Sequence, residues 1–320
     1  MSHTEEMHPK LGRVIKNIEH VIVGKRDVSI LSLVALLANG HVLLEDVPGV
    51  GKTMMVRALA KSVGVEFKRI QFTPDLLPSD VTGVSIYNPK ELRFEFREGP
   101  IFGNVILADE INRTSPKTQS ALLEGMEEGS ITVDGVTRVL SKPFFVMATQ
   151  NPVDYEGTYP LPEAQLDRFL FKLRMGYPSK AEEYEVLSLA EKERPIHKID
   201  SVITKEELVE LQYEIQNVYV DETIKHYIID ITSKTRRHPS IYLGASPRAS
   251  IALMKAAQAY AFITGRDYII PDDIQYLALY ALPHRLILRS EAKFEGKSAE
   301  QLVGEIIDRT PVPVQRSLSR

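Results

Sequence analysis

Apolar residues at Leu11, Val14, Ile15 and Ile18 recur at the helical period and predict an amphipathic first helix over residues 10–22, broken at Val23-Gly24. A second, more uniformly apolar helix is expected from Asp27, a good capping residue, to Asn39-Gly40. Beyond Gly40 the pattern changes to short apolar runs separated by turn signals and helical stretches. The candidate strands are His41–Glu45, Glu66–Phe72, Val105–Ala108, Phe144–Thr149 and Phe169–Met175. Several of these runs are continuous and not alternating, as parallel strands covered on both faces require. Two further segments do alternate and read as half-exposed hairpins. One is Val84–Phe96, with Leu92, Phe94 and Phe96 on one face; the other is Ile131–Leu140, where Asp134-Gly135 signals a tight turn. After Pro178 the strand patterns largely vanish. Ser179 with Glu182, and Thr204 with Glu207, fit capping boxes, and helical patterns continue through Ala257–Leu282. The expected architecture is α/β: a parallel five-stranded sheet flanked by helices, with two β-hairpin inserts, over residues 1–178, and a small helical domain over 179–320. The tail from Thr310 is polar and proline-containing and reads as loose.

Composition narrows the chemistry. The 320 residues are 43% hydrophobic and 26% charged, the make-up of soluble globular chains with room for about two domains. A net charge of -4 supplies no basic field for non-specific nucleic-acid binding, so no nucleic-acid partner is expected. Cysteine is absent, which removes disulfides, thiolate nucleophiles and zinc–thiolate sites and leaves oxygen or imidazole for any metal. The histidines show no metal-ligand spacing with acids, and His226, His238 and His284 read as surface or packing residues. Residues 1–10 are polar, and the most apolar run, near Ile30–Ala38, is too short to span a bilayer. The expectation is a cytoplasmic chain with no direct membrane insertion.

One segment carries phosphate chemistry. Asp46, Val47, Pro48, Gly49, Val50, Gly51, Lys52 and Thr53 follow an apolar strand and precede a helix that continues through Met54, the context in which a phosphate loop forms. Gly49 and Gly51 let the backbone wrap closely and aim N–H groups inward, and the helix N-terminus adds positive potential. Lys52 would reach the β and γ phosphates, and the Thr53 hydroxyl would bind Mg2+. The same residues also suit a glycine-rich strand-to-helix turn with a surface lysine. Asp46 replaces the usual first glycine and puts a carboxylate near an anion site. It either points away to cap the loop or lowers nucleotide affinity.

Downstream, the apolar run Val105–Ala108 ends in Asp109 and Glu110. Asp109 can hold Mg2+ through water, and Glu110 can orient or deprotonate an attacking water. Alone, the pair also fits a solvated strand end. The run Phe144–Thr149 ends in Gln150-Asn151-Pro152; the Asn151 amide is placed to hold a water or the γ-phosphate, or to serve as a turn residue before proline.

With these motifs in place, the chain resembles the MoxR family of AAA+ ATPases over nearly its whole length. The most specific segments are Leu44–Thr53 and the run Ala108–Glu128, which begins Ala-Asp-Glu-Ile-Asn-Arg. The resemblance implies an AAA+ P-loop NTPase fold with a helical lid. It makes Asp46 ordinary, makes Asn151 the first sensor, and places Val23 and Gly24 beside the adenine. Leu166-Asp167-Arg168-Phe169 resembles the segment whose arginine reaches the ATP site of the neighbouring subunit, though Arg168 also suits a surface pair with Asp167. Gly244-Ala-Ser-Pro-Arg-Ala249 resembles the second sensor. Local physics agrees, since Ser246 suits a cap, Pro247 the first helical position, and Arg248 opposes the helix dipole unless an anion answers it. Arg113 is a further residue that the resemblance allows between subunits, and the two hairpins would face a pore or a client.

The resulting expectation is an ATP hydrolase using ATP and Mg2+. It would be a homo-oligomer, a hexameric ring, that remodels or activates a partner protein, by resemblance one with a von Willebrand A domain. The alternatives are the motor subunit of a metal-chelatase-like complex and a non-hydrolysing nucleotide-dependent scaffold.

Overall fold

The computed structural model describes residues 7–45, 49–151, 157–190 and 195–313. Asp46, Val47, Pro48, Pro152 and the tail from residue 314 lie outside the described residues. The chain opens with α1 (Pro9–Val21), which turns Leu11, Val14, Ile15 and Ile18 inward. In α2 (Arg26–Leu37) burial runs nearly all round the helix. Asp27 lies in the first turn of α2 and not before it; Lys25 takes the capping position, and the acid still faces the positive end of the helix.

The α/β unit continues as β1 (Val42–Glu45), α3 (Lys52–Ser62), β2 (Phe67–Gln71), α4 (Pro78–Thr82), β3 (Gly83–Asn88), β4 (Arg93–Glu98), β5 (Val105–Asp109), α5 (Pro116–Glu128), β6 (Ser130–Val133), β7 (Val136–Val139), β8 (Phe145–Gln150), α6 (Glu163–Leu166) and β9 (Phe171–Leu173). Five strands form one sheet in the order β2-β5-β8-β1-β9, and every pairing in it is parallel. Val42, Leu44, Val105, Leu107, Phe145 and Met147 enter the core on one face. Leu43, Ile106, Ala108, Val146 and Ala148 enter the core on the other. Because both faces are buried, the strand period of two leaves no polar position, which is why these runs are continuous in sequence.

β9 is shorter than the expected Phe169–Met175. Phe169 is pulled out of the ladder because its carbonyl accepts hydrogen bonds from Arg285 Nη2 at 2.8 Å and His284 Nε2 at 2.9 Å. The hairpins form as β3–β4 and β6–β7. Asp134 and Gly135 both adopt positive φ, 52° and 74°, as a tight two-residue turn demands. Leu92 is displaced from the shared face expected for it, since it turns the β3–β4 hairpin at φ 53°. Phe96 packs edge-on against Phe102, and the Arg138 guanidinium of β7 lies 3.9 Å from the Phe96 ring centre, tying the two hairpins together.

The remaining elements are α7 (Lys180–Ala190), α8 (Lys205–Glu214), α9 (Glu222–Arg237), β10 (Ile241–Leu243), α10 (Pro247–Ile263), α11 (Pro271–Ala281), β11 (Ile287–Leu288), α12 (Ser290–Phe294) and α13 (Ala299–Asp308). Both expected capping boxes are present, with Ser179 and Glu182 exchanging hydrogen bonds as Thr204 and Glu207 do. β10 and β11 make a short antiparallel pair, too brief to carry a readable alternation. Among the described residues no helix is long and apolar enough to cross a membrane.

A buried contact fastens the helical part to the sheet. The Arg285 side chain is 3% exposed and its Nε donates to Asp167 Oδ1 at 2.7 Å, while its two Nη groups reach the Ala281 and Phe169 carbonyls. Within the α/β unit, His41 does similar work. Its Nδ1 accepts the Val146 N–H at 3.1 Å, so the proton resides on Nε2, which donates to the Met126 carbonyl near the end of α5.

Burial holds the His41 pKa down to about 4, against an ordinary value of 6.5. The unfolded chain takes up a proton near pH 6.5 and the folded chain only near 4, so acid favours unfolding across that window. His284 is shifted in the same direction by burial. The melting temperature should therefore change little through these groups above pH 6.5 and fall as pH drops toward 4. Imidazole proton resonances followed by NMR test the assignment directly, and a His41 signal titrating near 6.5 would contradict it.

Candidate nucleotide site

β1 delivers the chain to the phosphate loop, whose described part begins at Gly49. Gly49 and Gly51 have φ of 86° and 91°, a region where a side chain costs about 1–2 kcal/mol. Gly51 caps α3, and the first N–H groups of that helix have no intrahelical acceptors. Gly49, Gly51, Lys52, Thr53 and Met54 form one wall of a cleft of about 430 Å³. Val50 turns aside and packs against the core.

The opposite wall comes from the carboxyl ends of β5 and β8. Glu110 follows β5 in the left-handed region, at φ 58° and ψ 49°. A hydroxyl from the neighbouring strand secures this bend. The Glu110 N–H donates to Thr149 Oγ1 at 2.8 Å, and that hydroxyl donates to Asp109 Oδ1 at 2.7 Å. Asn151, directly after β8 and largely buried, lines the same cleft. The structure thus brings Lys52, Thr53, Asp109, Glu110 and Asn151 together.

The edge strand β2 supplies two residues that the sequence reading missed. Arg69 Nη2 lies 2.6 Å from Asp109 Oδ2 and 2.7 Å from Gln71 Oε1, and Gln71 Nε2 donates to Glu110 Oε2 at 2.9 Å. Arg113 Nη1 donates to the same Glu110 oxygen at 3.0 Å. In sequence Arg69 and Gln71 are merely alternate polar positions, which is also how a solvated strand edge reads. Glu45 was missed as well. Its carboxylate accepts from Gln150 at 3.0 Å and pairs with Lys172 and Arg174 of the β9 region, anchoring the strand end before the loop. Burial works to raise the Glu45 pKa, but the hydrogen bonds from Lys172, Arg174 and Gln150 prevail and hold it below the ordinary value.

The donors fit a magnesium ion. Thr53 and Asp109 offer only oxygen to the cleft, as a hard cation prefers, and the Arg69 guanidinium at Asp109 marks a place where positive charge is accommodated. Among the described residues no cluster of three or more His, Asp or Glu side chains could cage a metal alone. An ion held here would complete its shell with phosphate and water.

Gly24, at φ 72°, lines a neighbouring cleft of about 280 Å³ together with Lys25, Leu173, Arg174 and Tyr280. At that φ a residue with a side chain would be strained, while the Glu182 side-chain end that a Cβ would meet could move aside. Val23 is half-buried beside it.

Arg168 and Arg248 lie outside both clefts. Arg168 Nη2 reaches Glu127 Oε2 and Arg248 Nη2 reaches Glu127 Oε1, each at 2.7 Å. The alternative pairing of Arg168 with Asp167 does not form, because Asp167 is taken by Arg285. Ser246 accepts from the Ala249 N–H at 3.3 Å and Pro247 opens α10, as expected. The anion that answers Arg248 is a carboxylate of the same chain. The hydrogen bond from Arg248, with Arg168 adding to it, holds the Glu127 carboxyl below its ordinary pKa.

This cleft, set where a glycine loop leaves one parallel strand and paired acids end another, has counterparts in known proteins. Residues 41–171 match the family described as ATPase family associated with various cellular activities (AAA), and residues 233–306 match the AAA lid domain. The YeaC protein of Bacillus subtilis is 70% identical, with all of both chains covered. The chaperone MoxR1 of Mycobacterium tuberculosis is 41% identical over 96% of this chain and 83% of its own. A crystal structure of a candidate ATPase from Cytophaga hutchinsonii superposes with a TM-score of 0.89 at 42% identity, covering 95% of each chain. With near-complete coverage, both matched domains and the site geometry in agreement, the chain belongs to the MoxR family of AAA+ ATPases.

Proposed function

We propose that this protein hydrolyses ATP at the subunit interfaces of a homo-oligomeric ring, a hexamer, and uses the turnover to remodel or activate a partner protein. The observation that carries this reading is a division within the site. The phosphate loop, both acids and Asn151 converge on one cleft, whereas Arg168 and Arg248 are held elsewhere on Glu127. A cleft whose nearby arginines, Arg69 and Arg113, are engaged by its own acids, with Arg168 and Arg248 held elsewhere, is what a site completed by the next subunit looks like from one side.

In this reading Lys52 and the N–H groups at the start of α3 bind the β and γ phosphates, while Val23 and Gly24 lie beside the adenine. Thr53 and Asp109 would hold Mg2+, whose charge would offset that building up on the phosphate oxygens. Glu110 orients the attacking water and accepts its proton as the bond from the γ phosphorus to the bridging oxygen breaks. Gln71 and Arg113 set the direction of the Glu110 carboxylate, and Asn151 steadies the water or the γ phosphate. Arg168 comes from the next subunit and Arg248 acts as second sensor. Asp46, Val47 and Pro48 would complete the loop.

We place the division between nucleotide-binding and lid domains at residues 178/179, where strands give way to helices. A cytoplasmic location, a partner with a von Willebrand A domain and no nucleic-acid ligand complete the reading. The name chaperone borne by the Mycobacterium tuberculosis relative supports a protein client. Three measurements test it. Glu110→Gln should bind ATP normally yet lower the rate of phosphate release by roughly 100-fold or more, and brisk turnover would remove Glu110 from its role. Arg168→Ala should lower kcat by roughly 1,000-fold with nucleotide affinity nearly unchanged, and full activity would sink the assignment in trans. Affinity capture with the Glu110→Gln form and ATP should retain a specific partner that is released when ATP is omitted. Recovery of the same proteins in both conditions would speak against remodelling.

A further inference from the structure

Glu127 has no part in the cleft, yet it is the meeting point of the two arginines that the cleft lacks. It is the penultimate residue of α5, and its side chain is 28% exposed. One carboxylate oxygen takes a guanidinium from the segment after α6, and the other takes one from the first turn of α10. Neither charge is placed for the benefit of its own helix. An acid in the last turn of α5 and a base in the first turn of α10 each oppose the local dipole, and the pairing compensates both.

A second tie runs alongside. Ser246, the cap of α10, donates to Asp167 Oδ2 at 3.3 Å, and Arg285 holds Asp167 Oδ1. The chain positions just before Arg168 and Arg248 are therefore linked to each other as well as to Glu127. Two guanidinium groups on one carboxylate leave the trio with a net charge of about +1, since two positive groups face one negative group. Arg248 remains 57% exposed. The cluster is thus an arrangement in which an outside anion would still be attracted.

We propose that Glu127 is a positioning residue, its carboxylate holding Arg168 and Arg248 side by side as one two-armed receptor for the terminal phosphate of a nucleotide bound to an adjacent copy of this chain. The proposal rests on the reading of Arg168 given above. Glu127 touches neither the nucleotide nor the attacking water; it acts through the two arginines.

Steady-state ATPase kinetics on the full chain, with a mixing experiment, test it. Glu127→Gln, which keeps the volume, and Glu127→Ala should each lower kcat by roughly tenfold or more. KM for ATP should stay within about twofold, because the variant's own cleft is intact. The melting temperature should be close to that of the parent. Combining Glu127→Ala with Arg168→Ala should give no further loss beyond Arg168→Ala alone, as expected for residues acting as one unit. Mixing Glu127→Ala subunits with Glu110→Gln subunits should raise activity above that of either alone, since one supplies intact clefts and the other intact arginines. Parent-like kcat in both Glu127 variants overturns the proposal. So does a loss that adds fully to that of Arg168→Ala, or a Glu127→Ala mixture that fails where an Arg168→Ala mixture with Glu110→Gln recovers activity. If Arg168→Ala itself is fully active, the reading of the arginine fails first and Glu127 falls with it.

Discussion

The hydroxyl of Thr149 is the point on which the site turns. It sits at the end of β8, accepts the N–H of Glu110 and donates to the carboxylate of Asp109. That pair of bonds requires β5 and β8 to lie in parallel register, with Ala108 beside Ala148, so that two strand tips finish at one level. It also secures a left-handed backbone at Glu110, a conformation disfavoured for a residue with a side chain. The bend brings onto one cleft two consecutive acids that an extended strand would point to opposite faces. Asp109 is left toward Arg69 and the phosphate-loop wall, and Glu110 toward Gln71 and Arg113. The placement follows the general rule for open parallel sheets, whose ligands bind beyond the carboxyl ends of the strands.

One fastening of the helical part to this sheet lies where the chain between α6 and β9 turns into the core. Arg285 and His284 both donate to the Phe169 carbonyl, and Arg285 also takes Asp167. A guanidinium this deeply buried is tolerable because its donors find a carboxylate and three carbonyls, and removal of the carboxylate would leave an uncompensated charge. The segment that carries Arg168 is consequently part of the lid contact as well as of the sheet, so a shift in one is felt by the other. The Phe96–Arg138 contact does the same between the two hairpins, which share an aromatic ring though they lie far apart in the chain.

Much of this was legible beforehand, for physical reasons. The central strands β1, β5 and β8 declared themselves because burial on both faces excludes polar residues from nearly all of their length, and the hairpins because one open face restores the alternation. The phosphate-loop wall was legible because glycines are needed where φ is positive, and Glu110 because an acid at the tip of a buried strand is conspicuous. Arg69, Gln71, Glu45 and Glu127 were not legible. Each is a common surface residue type, and its importance lies in a partner distant in sequence, as in Arg69 with Asp109 or Glu127 with Arg248. The start of α2 and the role of Leu92 were misread on local grounds, since a capping acid is equally at home in the first turn and a hairpin turn can borrow an apolar residue.

Two ion pairs meet at consecutive residues, and their surroundings set them apart. Asp167 with Arg285 is buried on the arginine side, so breaking it strands a desolvated charge. Arg168 with Glu127 is partly exposed, 27% and 28%, and Arg248 with Glu127 is more open, and pairs that water can reach contribute only about 0–1 kcal/mol. The first therefore fixes geometry and the second does little for stability. A weak pair is easily exchanged for a stronger anion, and a phosphate carries more charge and more acceptor oxygens than a carboxylate. On the reading proposed above, the firm anchor at residue 167 holds the backbone still while the Arg168 guanidinium exchanges Glu127 for phosphate.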